Sequence, residues 1–170
     1  MAPTITLADV SIKEGEVNQV TGTNTLIYPN INSCLSLTAV FADNKRVGGH
    51  AVMFPVAPQL NLKQICDYLM ANKGTSNTLI VVGDIGTWNQ NWSMLDETKN
   101  LVINGKKVNN VLEMGTAMGF TNVVQKDTII CDADGSTYDV YFGFEGSNRV
   151  YWVYDHKTSK VCTAFGKQTW

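Results

Sequence analysis

The chain of 170 residues is 44% hydrophobic and 16% charged, with a net charge of −2, which is the composition of a single folded domain with a sizeable core. That charge gives no reason to expect nucleic acid or an anionic membrane as a partner, and no apolar stretch approaches a membrane span. Met1-Ala2-Pro3-Thr4 has no basic region followed by an apolar core, so no Sec-type signal is expected, leaving cytoplasmic location or signal-independent export open.

In chain order, Thr4-Ile5-Thr6-Leu7 reads as a short strand. Residues 17–25 are polar and undecided, and Leu26-Ile27-Tyr28 reads as a strand. Pro29-Asn30 breaks it just ahead of Asn32-Ser33-Cys34, as a tight nucleophile turn requires. Sixteen residues after the cysteine, Gly48-Gly49-His50 supplies one of only two histidines. If residues 34–42 were a strand turning at Asp43-Asn44-Lys45-Arg46, His50 would face Ala39, on the order of 15 Å from Cys34. A helix over the same residues rises about 13 Å, and a returning strand covers that in about four residues. A Cys–His pair therefore predicts that Cys34 opens a helix capped by Asn32 or Ser33, with His50 on the strand 46–54. A helix N-terminus and an imidazole both lower a thiol's pKa, so Cys34 is expected to ionise below the ordinary thiol range. Leu35, Leu37, Ala39 and Phe41 also alternate as in a strand, and periodicity alone does not separate the two. Gly48-Gly49 predicts a bulge or a close backbone approach to a ligand, or simply a loosened edge.

Ser33-Cys34, an apolar run, a polar turn, then Gly48-Gly49-His50 and an apolar strand ending at Phe54-Pro55 resembles the chemoreceptor glutamine deamidases of the CheD type. It also resembles the bacterial lethal-factor and cytotoxic-necrotizing-factor deamidase toxins, over about residues 25–85. The resemblance implies that Cys34 attacks a protein glutamine side-chain amide and that His50 assists. In CheD and the lethal factor a threonine shortly before the cysteine completes a triad. Here Tyr28 stands at the six-residue spacing and the nearest threonine is Thr25. Thr25 is therefore the expected orienting group, with Tyr28 or a backbone carbonyl as rivals.

Beyond the motif, residues 55–58 read as a loop. Residues 61–73 read as a helix with Leu62, Ile65, Cys66, Leu69 and Met70 inward, ended by Gly74. Residues 78–82 form a near-continuous apolar run, as in a central strand. Thr87-Trp88-Asn89-Gln90-Asn91-Trp92 reads as a loop whose tryptophans either form a protein-binding rim or fold inward. Ser93, with Asp96, caps a helix to Leu101, and Asn104-Gly105 stops it. Residues 109–118 read as helix and 121–131 as strand. Asp132-Ala133-Asp134-Gly135 reads as a hairpin loop, with too few carboxylates for calcium. Tyr138, Val140, Phe142 and Phe144 alternate, as do Val150, Trp152 and Tyr154, and residues 161–165 complete an antiparallel meander. His156 falls in a polar turn. Cys66, Cys131 and Cys162 read as reduced packing residues, and with no C-x-x-C pair no metal site is expected.

The predicted fold is α/β, an α+β layered sandwich with helices packed on a mixed or antiparallel sheet, in one catalytic domain covering residues 1–170. The predicted activity is cofactor-free hydrolysis of a glutamine amide on a protein substrate, with His50 as base for Cys34 and backbone N–H groups near Cys34, with Asn32 or Ser33, holding the oxyanion. The role implied by the resemblance is a monomeric toxin or effector acting on a host translation helicase or small GTPase. The alternatives are a chemoreceptor deamidase, another thiol hydrolase, and a binding domain that works through Trp88 and Trp92.

Overall fold

A computed structural model describes residues 9–131 and 136–170. In chain order the elements are β1 (Val10–Ser11), β2 (Val17–Val20), β3 (Leu26–Ile31), β4 (Leu35–Val40), β5 (Arg46–Ala51), α1 (Leu62–Asn72), β6 (Thr78–Gly83) and α2 (Ile85–Gln90). They continue with β7 (Val102–Ile103), β8 (Lys106–Lys107), α3 (Val111–Ala117), β9 (Asn122–Asp127), a 3-10 turn (Thr128–Cys131), β10 (Tyr138–Glu145), β11 (Asn148–Asp155), β12 (Lys160–Val161) and β13 (Gln168–Thr169). The expected strand at 4–7 and the hairpin loop at 132–135 lie outside the described residues.

Two mixed sheets form the body. One runs β2-β5-β4-β6-β9, with only β6 and β9 parallel. The other runs β1-β3-β10-β11-β12, with β13 also on β11 and only β1 and β3 parallel. The first sheet has a core on each face. Leu35, Leu37, Ala39 and Val47 pack against Leu62, Ile65, Cys66 and Leu69 of α1 and against Trp88, Trp92 and Met114. On the other face Cys34, Val40, Val52, Ile80 and Val82 meet Tyr28, Val140, Phe142, Tyr151 and Val153 of the second sheet. The result is the α+β layered sandwich expected, with helices, sheet and sheet stacked in that order. Among the described residues no helix is long and apolar enough to cross a membrane.

The helix expected to open at Cys34 is absent, because the alternation in Cys34-Leu35-Ser36-Leu37-Thr38-Ala39-Val40 is that of a strand buried on both faces. Leu35 and Leu37 each stabilise the helix-side core by about 1.5–3 kcal/mol. Ser36 and Thr38 tolerate the inter-sheet face because their hydroxyls are satisfied. Ser36 Oγ donates to Val82 O (2.9 Å), and Thr38 Oγ1 shares a hydrogen bond with Tyr28 Oη (2.7 Å). The strand geometry still brings the pair together, because the turn lies earlier than expected. Val40 pairs with Arg46 and Ser36 with His50. Compared with a pairing of His50 with Ala39, this three-residue shift moves His50 about 10 Å towards Cys34. The turn is closed by Phe41 N–H to Lys45 O (3.1 Å), with Asn44 at φ 70°.

Other boundaries also move. β3 runs through Pro29 and Asn30 to Ile31, with Asn30 at φ 59° beside an irregularity in the β3–β10 register. Residues 85–90 are helical rather than a loop. Residues 91–100 form successive turns, not a helix, and Asp96 pairs with Lys99 (2.5 Å). Asn104-Gly105 is the turn of the β7–β8 hairpin. Strand 121–131 ends at Asp127, and the strand expected at 161–165 is reduced to β12, with β13 beyond it.

Candidate active site

Cys34 stands immediately before β4, on the face it shares with Ser36. His50 pairs with Ser36, so the two are diagonal neighbours on adjacent antiparallel strands, a relation that long side chains bridge. A third group completes the cluster. The Lys13-Glu14-Gly15-Glu16 turn is stitched to β5 at the histidine, with Gly15 N–H to His50 O (2.8 Å) and His50 N–H to Glu16 O (3.0 Å). Gly15 has φ 74°, and a Cβ there would lie 2.3 Å from Gln59, so glycine is required. The turn holds Glu14 over the thiol. One ligating atom each of Glu14, Cys34 and His50 lies within 4.8 Å of the other two, and Cys34 Sγ donates to Glu14 Oε1 at 3.8 Å.

The imidazole is fully buried and Cys34 is 4% exposed. His50 Nδ1 lies 2.9 Å from Ile12 O. A carbonyl only accepts, so Nδ1 carries the proton and Nε2 is left with its lone pair. Nε2 is buried and has no hydrogen-bond partner among the described residues. The Tyr28 ring meets the imidazole edge-on at 6.1 Å. The expectation of an acidic thiol is reversed. Burial, then the Glu14 carboxylate, push the Cys34 thiol up to about 12, against a smaller opposing pull from the Asn32 backbone N–H. Burial also lowers His50 below its ordinary 6.5, opposed by the Ile12 bond and the charges of Glu14 and Glu16. At neutral pH the pair is therefore a thiol and a neutral imidazole, not an ion pair.

The backbone around the cysteine is pinned from the helix side. Trp88 Nε1–H donates to Ser33 O (2.7 Å), and Asp84 N–H donates to Cys34 O (3.3 Å). A Cβ on Gly83 would meet Cys34 O at 2.2 Å. Gly48 and Gly49 mark neither a bulge nor an edge, since β5 pairs in continuous register on both sides. The close approaches they allow are internal. A Cβ on Gly48 would lie 1.9 Å from Tyr28 Oη, and one on Gly49 would lie 2.4 Å from Ile65 Cγ2. Beside Glu14 lies a groove of about 630 Å³, lined by Ser11, Lys13, Glu14, Glu16, Asn30 and Gln59 among others.

The other expected groups fall elsewhere. Thr25 accepts and donates through its backbone, to Val10 N–H (2.9 Å) and Asp9 Oδ1 (2.8 Å), and its Oγ1 lies beside Gly143. The nitrogen it was expected to orient is held by Ile12 O. Tyr28 Oη donates to Leu37 O (3.2 Å) and shares its second hydrogen bond with Thr38 Oγ1 (2.7 Å). Trp88 and Trp92 are 0% and 4% exposed, so the tryptophan rim does not exist. His156 pairs with Asp139 (2.8 Å) in a surface turn. All four cysteines are free thiols. Glu14 and Ile12 escaped the sequence reading: one is an isolated turn carboxylate, and the other acts through its backbone.

No family model matches the chain, and no curated protein matches it. Among solved structures, the C-terminal domain of CNFy from Yersinia pseudotuberculosis is similar with a TM-score of 0.39 and 10% identity, over 94% of this chain. The chain spans 61% of the length of that domain. A likeness of this size is distant and carries no inference about chemistry.

Proposed function

We propose that the chain is a cysteine-dependent protein-glutamine deamidase in which Cys34 is the nucleophile and His50 its base. The observation that carries this reading is the imidazole: its Nδ1 is tied to a backbone carbonyl, its Nε2 is buried with no hydrogen-bond partner among the described residues, and the ring clusters with the thiol that precedes the neighbouring strand. The resemblance of Ser33-Cys34 and Gly48-Gly49-His50 to the deamidase motif supports the choice of reaction. So does the recession of the thiol. A cysteine 4% exposed suits a slender side chain ending in an amide better than a main-chain segment that must pass on both sides.

The neutral pair sets the order of events. As sulfur approaches the amide carbon, His50 Nε2 takes the thiol proton, so thiolate forms only in the course of attack. The oxyanion is met by backbone N–H groups of the loop, with Asn32 N–H already directed at the sulfur. The imidazolium gives its proton to the departing nitrogen, ammonia leaves, and a thioester remains. His50 then removes a proton from water, which adds to the thioester, and the thiol and a glutamate are released. Throughout, Ile12 O steadies Nδ1–H and the positive charge that comes and goes.

In this reading residues 1–170 act as one catalytic domain, as a monomer, with no cofactor and with a protein as substrate. The role we assign is a toxin or effector acting on a host protein such as a small GTPase or translation helicase. The test is ammonia release from candidate proteins, with the amide-to-acid mass change mapped to a glutamine. Cys34→Ser and His50→Ala should each abolish it with the fold intact. Cleavage of the substrate backbone instead would make the chain a protease, and ammonia release that survives Cys34→Ser would end the proposal.

A further inference from the structure

We infer that Glu14, Cys34 and His50 form a three-ligand site for one Zn2+ ion. The three groups come from separate segments, the turn before β2, the residue before β4, and β5, and one ligating atom of each already lies within 4.8 Å of the others. In a tetrahedral zinc site, Zn–S of about 2.3 Å and Zn–N or Zn–O of about 2.0–2.1 Å put ligand atoms roughly 3.3–3.6 Å apart. The Sγ to Oε1 separation is 3.8 Å, close to that edge.

An independent observation points the same way. His50 Nε2 is buried and lacks any hydrogen-bond partner among the described residues, so its lone pair is unsatisfied. Its other nitrogen donates to Ile12 O (2.9 Å), and zinc-bound histidines nearly always donate their second N–H in this way, which fixes tautomer and ring orientation. The donor set, one sulfur, one nitrogen and one oxygen, excludes the oxygen-only preference of Ca2+ and Mg2+ and suits zinc. Cys34 and His50 are buried in the framework, while Glu14 is exposed on a turn. Binding releases the thiol proton to solvent. Thiolate and carboxylate then balance the two charges of the metal.

The site stands on these three ligands alone. Its consequence for catalysis rests on the deamidase reading: the ion would hold the nucleophile and its base together, so the zinc-loaded protein would be inactive and a chelator would restore it.

The test titrates reduced, chelator-dialysed protein with Co2+ as a spectroscopic stand-in, then with Zn2+ against a chromophoric chelator. One Co2+ per chain should appear with a thiolate-to-metal charge-transfer band, and Zn2+ should bleach it. Cys34→Ser should remove the band. Glu14→Gln, at an exposed position that leaves the core untouched, should weaken binding by more than about tenfold, since even outer-sphere partners are worth roughly 10–100-fold. Absence of the band, its persistence in Cys34→Ser, or Glu14→Gln titrating as wild type would each overturn the site. Failure to find a deamidation substrate would leave the band as it is, so the two readings fail separately.

Discussion

Glu14→Gln gives the sharpest test of the site's electrostatics. It keeps an acceptor oxygen near Cys34 Sγ and removes only the charge. At the observed 3.8 Å, and with a water-like dielectric because Glu14 is exposed, that charge disfavours the thiolate by about 1 kcal/mol. This equals about 0.8 of a pKa unit, or roughly sixfold in thiolate fraction. A less basic thiolate is also a weaker nucleophile, by about 0.4–0.5 log per pKa unit, so the net gain in alkylation is about threefold. The assay is iodoacetamide labelling at one mildly alkaline pH, read cysteine by cysteine by peptide mass spectrometry, with half-buried Cys131 as the internal reference. Cys34 should label about three times faster in the variant, and Cys131 at an unchanged rate. An unchanged or slower rate at Cys34 would refute the view that the Glu14 charge adds to burial in keeping the thiol neutral.

The acid limb of kcat/KM should lie below pH 6.5, because burial lowers His50 and keeps it a neutral base to a more acidic pH than free imidazole. Stability should follow the same group: the unfolded chain binds a proton near pH 6.5 that the folded chain resists, so stability is present above that pH and lost below it. Urea melts across pH should show this slope, and His50→Gln should flatten it. Trp88→Phe removes the donor to Ser33 O and should cost about 1 kcal/mol in a urea melt. It should also lower kcat/KM for the proposed deamidation, since Ser33 precedes Cys34, the proposed nucleophile. Gly49→Ala drives a methyl into Ile65 and should destabilise by about 1–3 kcal/mol. A double-mutant cycle with Ile65→Ala should show strong coupling, and additivity there would rule out the packing explanation.

Much of the scaffold was legible because local signals agreed. α1 is delimited by Asn61, whose side chain accepts from Gln64 N–H while Gln64 caps in return, and its buried stripe has helical spacing. The alternation of Tyr138, Val140 and Phe142 named β10, and the apolar run at 78–82 named the central β6. β4 misled because a strand between two cores needs no polar face, and a short run of that kind also reads as a buried helix. The loop expected at Thr87–Trp92 became α2 because Asp84 caps it at Thr87 N–H (3.3 Å) and both indoles found core positions. In the site, Cys34 and His50 were visible as residue types at a suggestive spacing, although the geometry that unites them was not. Glu14 had no such signal. It belongs to the cluster only because the turn at Gly15 folds it back along β5.

The Ile12 carbonyl has a consequence for how such sites are found. The atom that orients the imidazole is one that every amino acid carries, so no substitution at position 12 deletes it. Ile12→Ala would open a cavity between the sheets at a cost of about 2–5 kcal/mol and still present the same oxygen to Nδ1. A mutational scan would score position 12 as structural, and a comparison of side chains would find the third member of the site missing. Only chemistry on the main chain, such as an ester in place of the Ile12–Lys13 amide, would reveal that a part of the candidate site is held by the peptide backbone.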